Sequence, residues 1–249
     1  MLKLHLLSDL EALSLKAAEI FVDLSRRCIA LKEHFFVAVS GGSTPIRLYT
    51  LLGSNMYSRQ IDWRRLQFFW VDERFVPPSH KDSNYRLLHD YLLSKISIPH
   101  ENIHPVRTDL TSPQVAASNY EEEIKNVFRL AEGSLPEFDL ILLGLGEDGH
   151  TASLFPDNEV LKETEHLVVS GIDSKHIYRR ISLTLPVING AETVIFLVSG
   201  KNKADVVKKV LVEKDSSLPA SLVNPEQGNL IFLIDKEAGY HLRNFNNCK

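Results

Sequence analysis

Continuous apolar runs alternate along this chain with stretches whose apolar residues recur every three or four positions. Leu10, Leu13, Ala17, Ile20, Phe21 and Leu24 share one helical face. Ser8-Asp9-Leu10-Glu11 has the form of a capping box, so a long helix is predicted to start here. FFVAV (35–39) reads as a buried strand, the first of the chain. SGGST follows it, with Pro45 in the first turn of the next helix, where a missing N–H does no harm. LQFFWV (66–71) is the next strand and ends at DERFVPP. Ser83 or Asn84 caps a helix over YRLLHDYLLSK, and Ser112-Pro113 opens another of about 19 residues. FDLILLG (138–144), HLVVSG (166–171), IYRRISLT (177–184), TVIFLVSG (193–200) and NLIFLID (229–235) are further strands, with an amphipathic helix in KNKADVVKKVLVE.

This alternation predicts an α/β fold: a doubly wound, mainly parallel sheet with helices on both faces. No repeat, low-complexity stretch or linker divides it, so residues 1–249 are expected to form a single domain. In such folds ligands sit beyond the carboxyl ends of the strands. SGGST, DER and GEDGHTAS all fall there, with Lys203 just past TVIFLVSG.

Composition narrows the partners. The 28 basic and 32 acidic residues leave a net charge of −4, which favours neither nucleic acid nor a membrane surface. An anion site must therefore be built locally. The two cysteines, Cys28 and Cys248, form no CxxC, which argues against a thiolate zinc site or a disulfide framework. The first 21 residues lack a secretory pattern, since Asp9, Glu11 and Lys16 interrupt any apolar core, and no run reaches the length of a membrane span. The expectation is a cytoplasmic protein that uses no membrane or nucleic acid; the sequence identifies no protein partner.

DLILLGLGEDGHTASLFP (139–156) carries the most chemistry. Gly144, Gly146 and Gly149 match G-x-G-x-x-G, the dinucleotide fingerprint. That reading needs a long helix after the third glycine, yet Pro156 stands seven residues beyond it. The glycines are better explained by a sharp turn and close approach of backbone to a ligand. His150 is then a candidate general base, with Glu147 and Asp148 near enough to orient it; the competing reading is an exposed loop histidine. Residues Ser40, Gly41, Gly42, Ser43 and Thr44 offer N–H groups, hydroxyls and a helix dipole to a phosphate, or else form a tight turn with an N-cap. The loop is neither a Walker A loop, lacking G-K-[ST], nor a nucleophile elbow. Asp72, Glu73 and Arg74 stand at a strand end. Arg74 is suited to clamp an anion or meet an oxyanion, unless the three form a structural ion pair. Arg179, Arg180 and Lys203 are further cation candidates, and solvated surface groups otherwise. HENIH (100–104) matches the zinc-protease H-E-x-x-H, but Pro99 and Pro105 deny it the helix the motif requires.

Taken in order, VSGGSTPIRLY (39–49), FFWVDERFVPPSHKDSNYRLL (68–88), FDLILLGLGEDGHTASLFP (138–156), RISLTLPVINGAETVIFLVSGKNKADVV (180–207) and LPASLV (218–223) resemble the 6-phosphogluconolactonase family. The resemblance spans most of the chain and implies a Rossmann-like fold of the deaminase/lactonase type. It implies hydrolysis of a phosphosugar lactone, 6-phospho-D-glucono-1,5-lactone, with no metal and no organic cofactor. It places the general base on His150, with Asp148 beside it. Arg74 is assigned to the substrate or its developing charge, whether at phosphate or carbonyl. The phosphate falls to Ser40–Pro45, Arg180 and Lys203, with Asp72 and Gly146 also at the substrate. A tryptophan expected in the last strand is absent from LIFLID. The related glucosamine-6-phosphate deaminases carry tyrosine after DE, where this chain has Arg74, and Asn-Glu-Pro where it has SLFP. A sugar-phosphate sensor would need a DNA-binding segment, and only one helix fits before residue 35.

Overall fold

The computed structural model describes residues 1–173 and 177–242. Its strands are β1 (Leu2–Leu7), β2 (Phe35–Val39), β3 (Leu66–Trp70), β4 (Asp72–Arg74), β5 (Ile103–His104), β6 (Leu140–Leu143), β7 (Val168–Ile172), β8 (Arg179–Leu183), β9 (Thr193–Val198) and β10 (Asn229–Asp235). Its α-helices are α1 (Leu10–Lys32), α2 (Ile46–Leu52), α3 (Asn55–Ser58), α4 (Asn84–Tyr91), α5 (Pro113–Phe128), α6 (Leu185–Asn189) and α7 (Ala204–Lys208). Among the described residues no helix is long and apolar enough to cross a membrane.

Seven strands form one sheet in the order β1-β10-β9-β6-β2-β3-β5, with parallel pairing throughout. From β2 the chain runs outward to β3 and β5, then returns to the other side of β2 for β6, β9 and β10. The sheet is thus the doubly wound α/β type that the apolar runs predict, and its direction reverses between β2 and β6, where such sheets open a crevice. β6 and β9 are buried along their whole length, which is why they read as unbroken apolar runs. α1 turns Leu13, Ala17, Phe21 and Leu24 inward and packs on α2, β2 and β10.

Three expectations need correction. The first strand is not at residue 35: β1 precedes α1 and pairs with β10 from Leu2↔Leu230 to Leu7↔Asp235. It lies at the sheet edge with Leu2, Leu4 and Leu6 exposed, so its residues alternate instead of forming an apolar run. The cap of α1 is Asp9, whose Oδ1 accepts from Ala12 N–H at 2.9 Å; Ser8 only donates its hydroxyl to Asp9. The segments read at 166–171 and 177–184 do not extend the parallel sheet. As β7 and β8 they pair antiparallel with each other, and β8 with β4, in a separate three-stranded sheet. Smaller differences occur elsewhere: α5 spans 16 residues and ends at Arg129 in a left-handed conformation. Residues 201–213 are helical as expected, but pass from a 3-10 turn through α7 into a π-helical turn. Cys28 is buried in α1, and burial pushes its thiol up to about 12; Cys248 lies outside the described residues.

The small sheet is anchored by Glu73. Its buried carboxylate accepts from the N–H groups of Arg74, Asn84 and Tyr85 and from the Ser83 hydroxyl, at 2.8, 2.8, 2.8 and 3.1 Å. One side chain thus ties β4 to the start of α4. Burial pushes this carboxyl up to about 7, against the pull of the three backbone donors. Glu73→Ala strands those donors, and we expect a loss of about 3 kcal/mol in urea unfolding. A loss under about 0.5 kcal/mol, the range of an ordinary surface change, would contradict this anchoring.

Candidate active site

Four neighbouring strands of the parallel sheet deliver their carboxyl ends to one place. β9 leads to Lys203, β6 to residues 144–150, β2 to residues 40–44, and β3 through Val71 to β4. Between them lies a cleft of about 220 Å³. Ser40, Gly41, Gly42, Ser43, Thr44, Asp72, Arg74, Gly146, His150, Arg180 and Lys203 all line it. Asp148 stands behind His150 instead, and Arg179 is exposed and outside the cleft.

The histidine loop is tightly made. Gly146 N–H donates to His150 C=O at 2.8 Å, and Gly149, at φ +84°, donates to Gly146 C=O at 3.1 Å. The Thr151 hydroxyl donates to Gly144 C=O at 2.9 Å. No helix follows Gly149; a Thr151–Leu154 turn takes its place. The loop therefore lacks the helix start on which a dinucleotide's pyrophosphate rests. It supports a side-chain pair: His150 Nδ1 lies 2.5 Å from Asp148 Oδ1. That hydrogen bond holds the Asp148 carboxyl down at about 2, with burial opposing. An ionised Asp148 keeps the ring proton on Nδ1. Nε2 has no protein partner among the described residues. Glu147 does not share this task, since its carboxylate accepts from Asn202 Nδ2 at 2.6 Å.

The serine-glycine loop has two sets of polar groups. Ser40 donates its hydroxyl to Leu142 C=O at 2.8 Å, and its own C=O accepts from Tyr49 Oη at 2.6 Å. Ser40 thus fastens the loop to β6 and has its hydroxyl proton committed. Among the described residues, the N–H groups of Gly41, Gly42, Ser43 and Thr44 donate to no protein acceptor. Gly42 sits at φ +95°. α2 behind the loop has seven residues, so the N–H groups, more than a long helix dipole, are what it offers an anion.

The three residues of DER do not form an ion pair with one another. Asp72 accepts from the Ser153 hydroxyl at 2.6 Å, while Arg74 Nη1 donates to Asp82 C=O at 2.7 Å. Arg74 stands directly opposite Arg180 in the antiparallel pair. Like charges at facing positions destabilise a sheet. Moreover, Nε of both arginines is buried without a partner, a further cost carried by this pair. Arg180 Nη2 lies 3.4 Å from Asp173. Burial is the main cause lowering the Arg180 pKa; Arg74 adds to it, and Asp72 and Asp173 oppose it. Lys203 makes no ion pair among the described residues.

Sequence reasoning missed Asn84, Phe155 and Ser153. Of the two cap candidates Ser83 takes the position, and Asn84 Nδ2 instead donates to Asp72 C=O at 2.8 Å. A Cβ on Gly41 would lie 1.9 Å from Asn84 Oδ1, so any side chain at residue 41 would force Asn84 to move. Ser153 and Phe155 lie in the very stretch quoted for its histidine, but only the observed turn shows where each points. HENIH forms no α-helix: His100–Asn102 make a single 3-10 turn and His104 lies in β5, with Nδ1 2.7 Å from Glu123 and Nε2 2.7 Å from Gln67.

A family model described as glucosamine-6-phosphate isomerases/6-phosphogluconolactonase matches residues 8–232. A 6-phosphogluconolactonase of Nostoc sp. is 37% identical over 240 residues, covering 96% of this chain and 97% of that protein. One of Synechocystis sp. is 40% identical over 219 residues, covering 87% and 88%. The structure of 6-phosphogluconolactonase from Trypanosoma brucei superposes with a TM-score of 0.86 at 29% identity, over 97% of this chain and 99% of that one. A monomeric glucosamine-6-phosphate deaminase, 20% identical with a TM-score of 0.80 over 96% and 99%, shares the fold.

Proposed function

The chain belongs to the glucosamine-6-phosphate isomerase/6-phosphogluconolactonase family, and on that premise we propose that it hydrolyses 6-phospho-D-glucono-1,5-lactone to 6-phospho-D-gluconate. This is the second step of the oxidative pentose phosphate pathway. The observation that carries the reading is a single cleft lined by an imidazole that Asp148 orients, by three cations and by a loop of unbonded N–H groups.

The substrate is a cyclic ester. His150 Nε2 takes a proton from water as the oxygen attacks the lactone carbonyl. The developing charge on the carbonyl oxygen is met by the Arg74 guanidinium, which lines the cleft. As the C–O bond of the ring breaks, the imidazolium returns the proton to the leaving ring oxygen. The new carboxylic acid then ionises, which makes the reaction visible as acid release. No covalent intermediate is needed, and the committed hydroxyl of Ser40 argues against one there.

The phosphate is a handle that holds the carbonyl in position. Its ligands in this reading are the N–H groups of residues 41–44, Lys203 and Arg180. Acid release from freshly prepared 6-phosphogluconolactone, corrected for spontaneous opening, tests the activity directly. A rate equal to background would end the proposal. For the handle, Lys203→Ala and Arg180→Ala are each expected to lower kcat/KM on the phosphorylated lactone about 10- to 100-fold, with little change on unphosphorylated gluconolactone. Equal losses on both substrates would remove the two residues from the phosphate site.

A further inference from the structure

We propose that Phe155 is a positioning residue for His150, its ring acting as the stop that holds the imidazole with Nε2 facing the cleft. This rests on reading His150 as the base. The Phe155 ring centroid lies 4.6 Å from that of the imidazole, tilted by 38°. Phe155 is buried and lines the same cleft.

Two other contacts hold the imidazole at its Nδ1 side. Asp148 fixes Nδ1 by a hydrogen bond. The Gly146 backbone closes one edge, so near that a Cβ there would lie 2.0 Å from Nδ1 and 2.3 Å from Cε1. Both contacts act at the Nδ1 end of the ring, and the outer torsion of histidine is intrinsically broad and nearly two-fold. A ring free to swing about that torsion carries Nε2 away from the substrate. Phe155 covers one face of the ring.

The intervening chain is shaped to bring it there. Leu154 N–H donates to Thr151 C=O at 2.9 Å, closing a turn directly after the histidine. Inside that turn Ala152 adopts φ +52°, a left-handed conformation that a non-glycine residue takes at a cost. The result returns Phe155 onto the ring of a residue five positions earlier. When His150 accepts its proton, the negative face of the phenyl ring also favours the imidazolium.

The test compares Phe155→Leu, Phe155→Met and Phe155→Tyr with the unaltered protein. For Phe155→Leu we expect kcat to fall about tenfold, the upper end of what an aromatic pair contributes, with KM changed less than about twofold. Phe155→Met, which keeps the volume and loses the flat face, is expected to follow Leu and serves if Leu does not fold. Phe155→Tyr is expected to recover most of the rate. The downfield proton resonance of the His150 Nδ1–H bonded to Asp148 is expected to broaden in Leu and Met and to persist in Tyr. An unchanged kcat and resonance in Leu or Met, while His150→Ala abolishes turnover, overturns the positioning role and leaves the base assignment standing. So does a fall in kcat with an unchanged resonance and no recovery in Tyr, because that pattern is plain packing. If the unaltered protein does not hydrolyse the lactone, the parent reading fails instead, and the resonance alone decides whether Phe155 holds the ring.

Discussion

His150→Ala is expected to lower kcat for lactone hydrolysis by about 10²- to 10⁴-fold, the range that a positioned acid-base group supplies. The loss arises twice in one turnover, since the same nitrogen takes the proton from water and returns it to the ring oxygen. KM should move little, because the imidazole contributes to neither the phosphate loop nor the cations. Stability should also hold: the His150 side chain is 32% exposed and its polar partner is Asp148, a neighbour on the same loop. Turnover by acid release and a thermal melt on the same preparation separate the two effects. A variant that melts like the parent and turns over at near-parent rate would remove His150 from the chemistry. One that melts far earlier would show the loop to be structural.

Gly146→Ala is the more severe local test, since it leaves every polar group of the site in place. The added methyl would lie 2.0 Å from His150 Nδ1 and 2.5 Å from Asp148 Oδ1. It is a wedge driven between the base and its orienting carboxylate. Something must shift, and in a loop held by Gly146 N–H on His150 C=O the side chains yield first. We expect kcat to fall about 100-fold, the penalty that an ångström of misplacement imposes on a reacting group. The double variant with Asp148→Asn should be little worse than the worse single one, because both break the same pair. Independent, multiplying losses in that cycle would mean that Gly146 does something other than make room for the imidazole and its carboxylate.

Why these groups were visible in the sequence, and others not, follows from their physics. FFVAV and TVIFLV read as strands because neighbours cover both faces of a central parallel strand, leaving no polar position to break the run. Glycines and charges clustered just past such runs mark the carboxyl edge, which is how His150, Arg74 and Lys203 stood out before any coordinates. β1 was missed for the opposite reason: an edge strand alternates, and LKLHLL offers no unbroken apolar run. The small antiparallel sheet was illegible because an apolar pattern shows that a strand forms and not which strand it pairs with. Asn84 and Phe155 carried no signal of their own. Their places depend on a cap one residue earlier and on a left-handed Ala152, choices made only when the chain closes on itself.

The order of strands around the cleft has a consequence for how activity is acquired. Residues 40, 74, 150, 180 and 203 arrive from five separate strand ends, two of them in a sheet that must itself dock against the larger one. Loop-closure entropy makes such distant pairings late events in folding. Until β6 pairs with β2, the serine-glycine loop lacks its Ser40 anchor on Leu142 and the imidazole that faces it. The cleft is consequently complete only when both sheets are formed and docked.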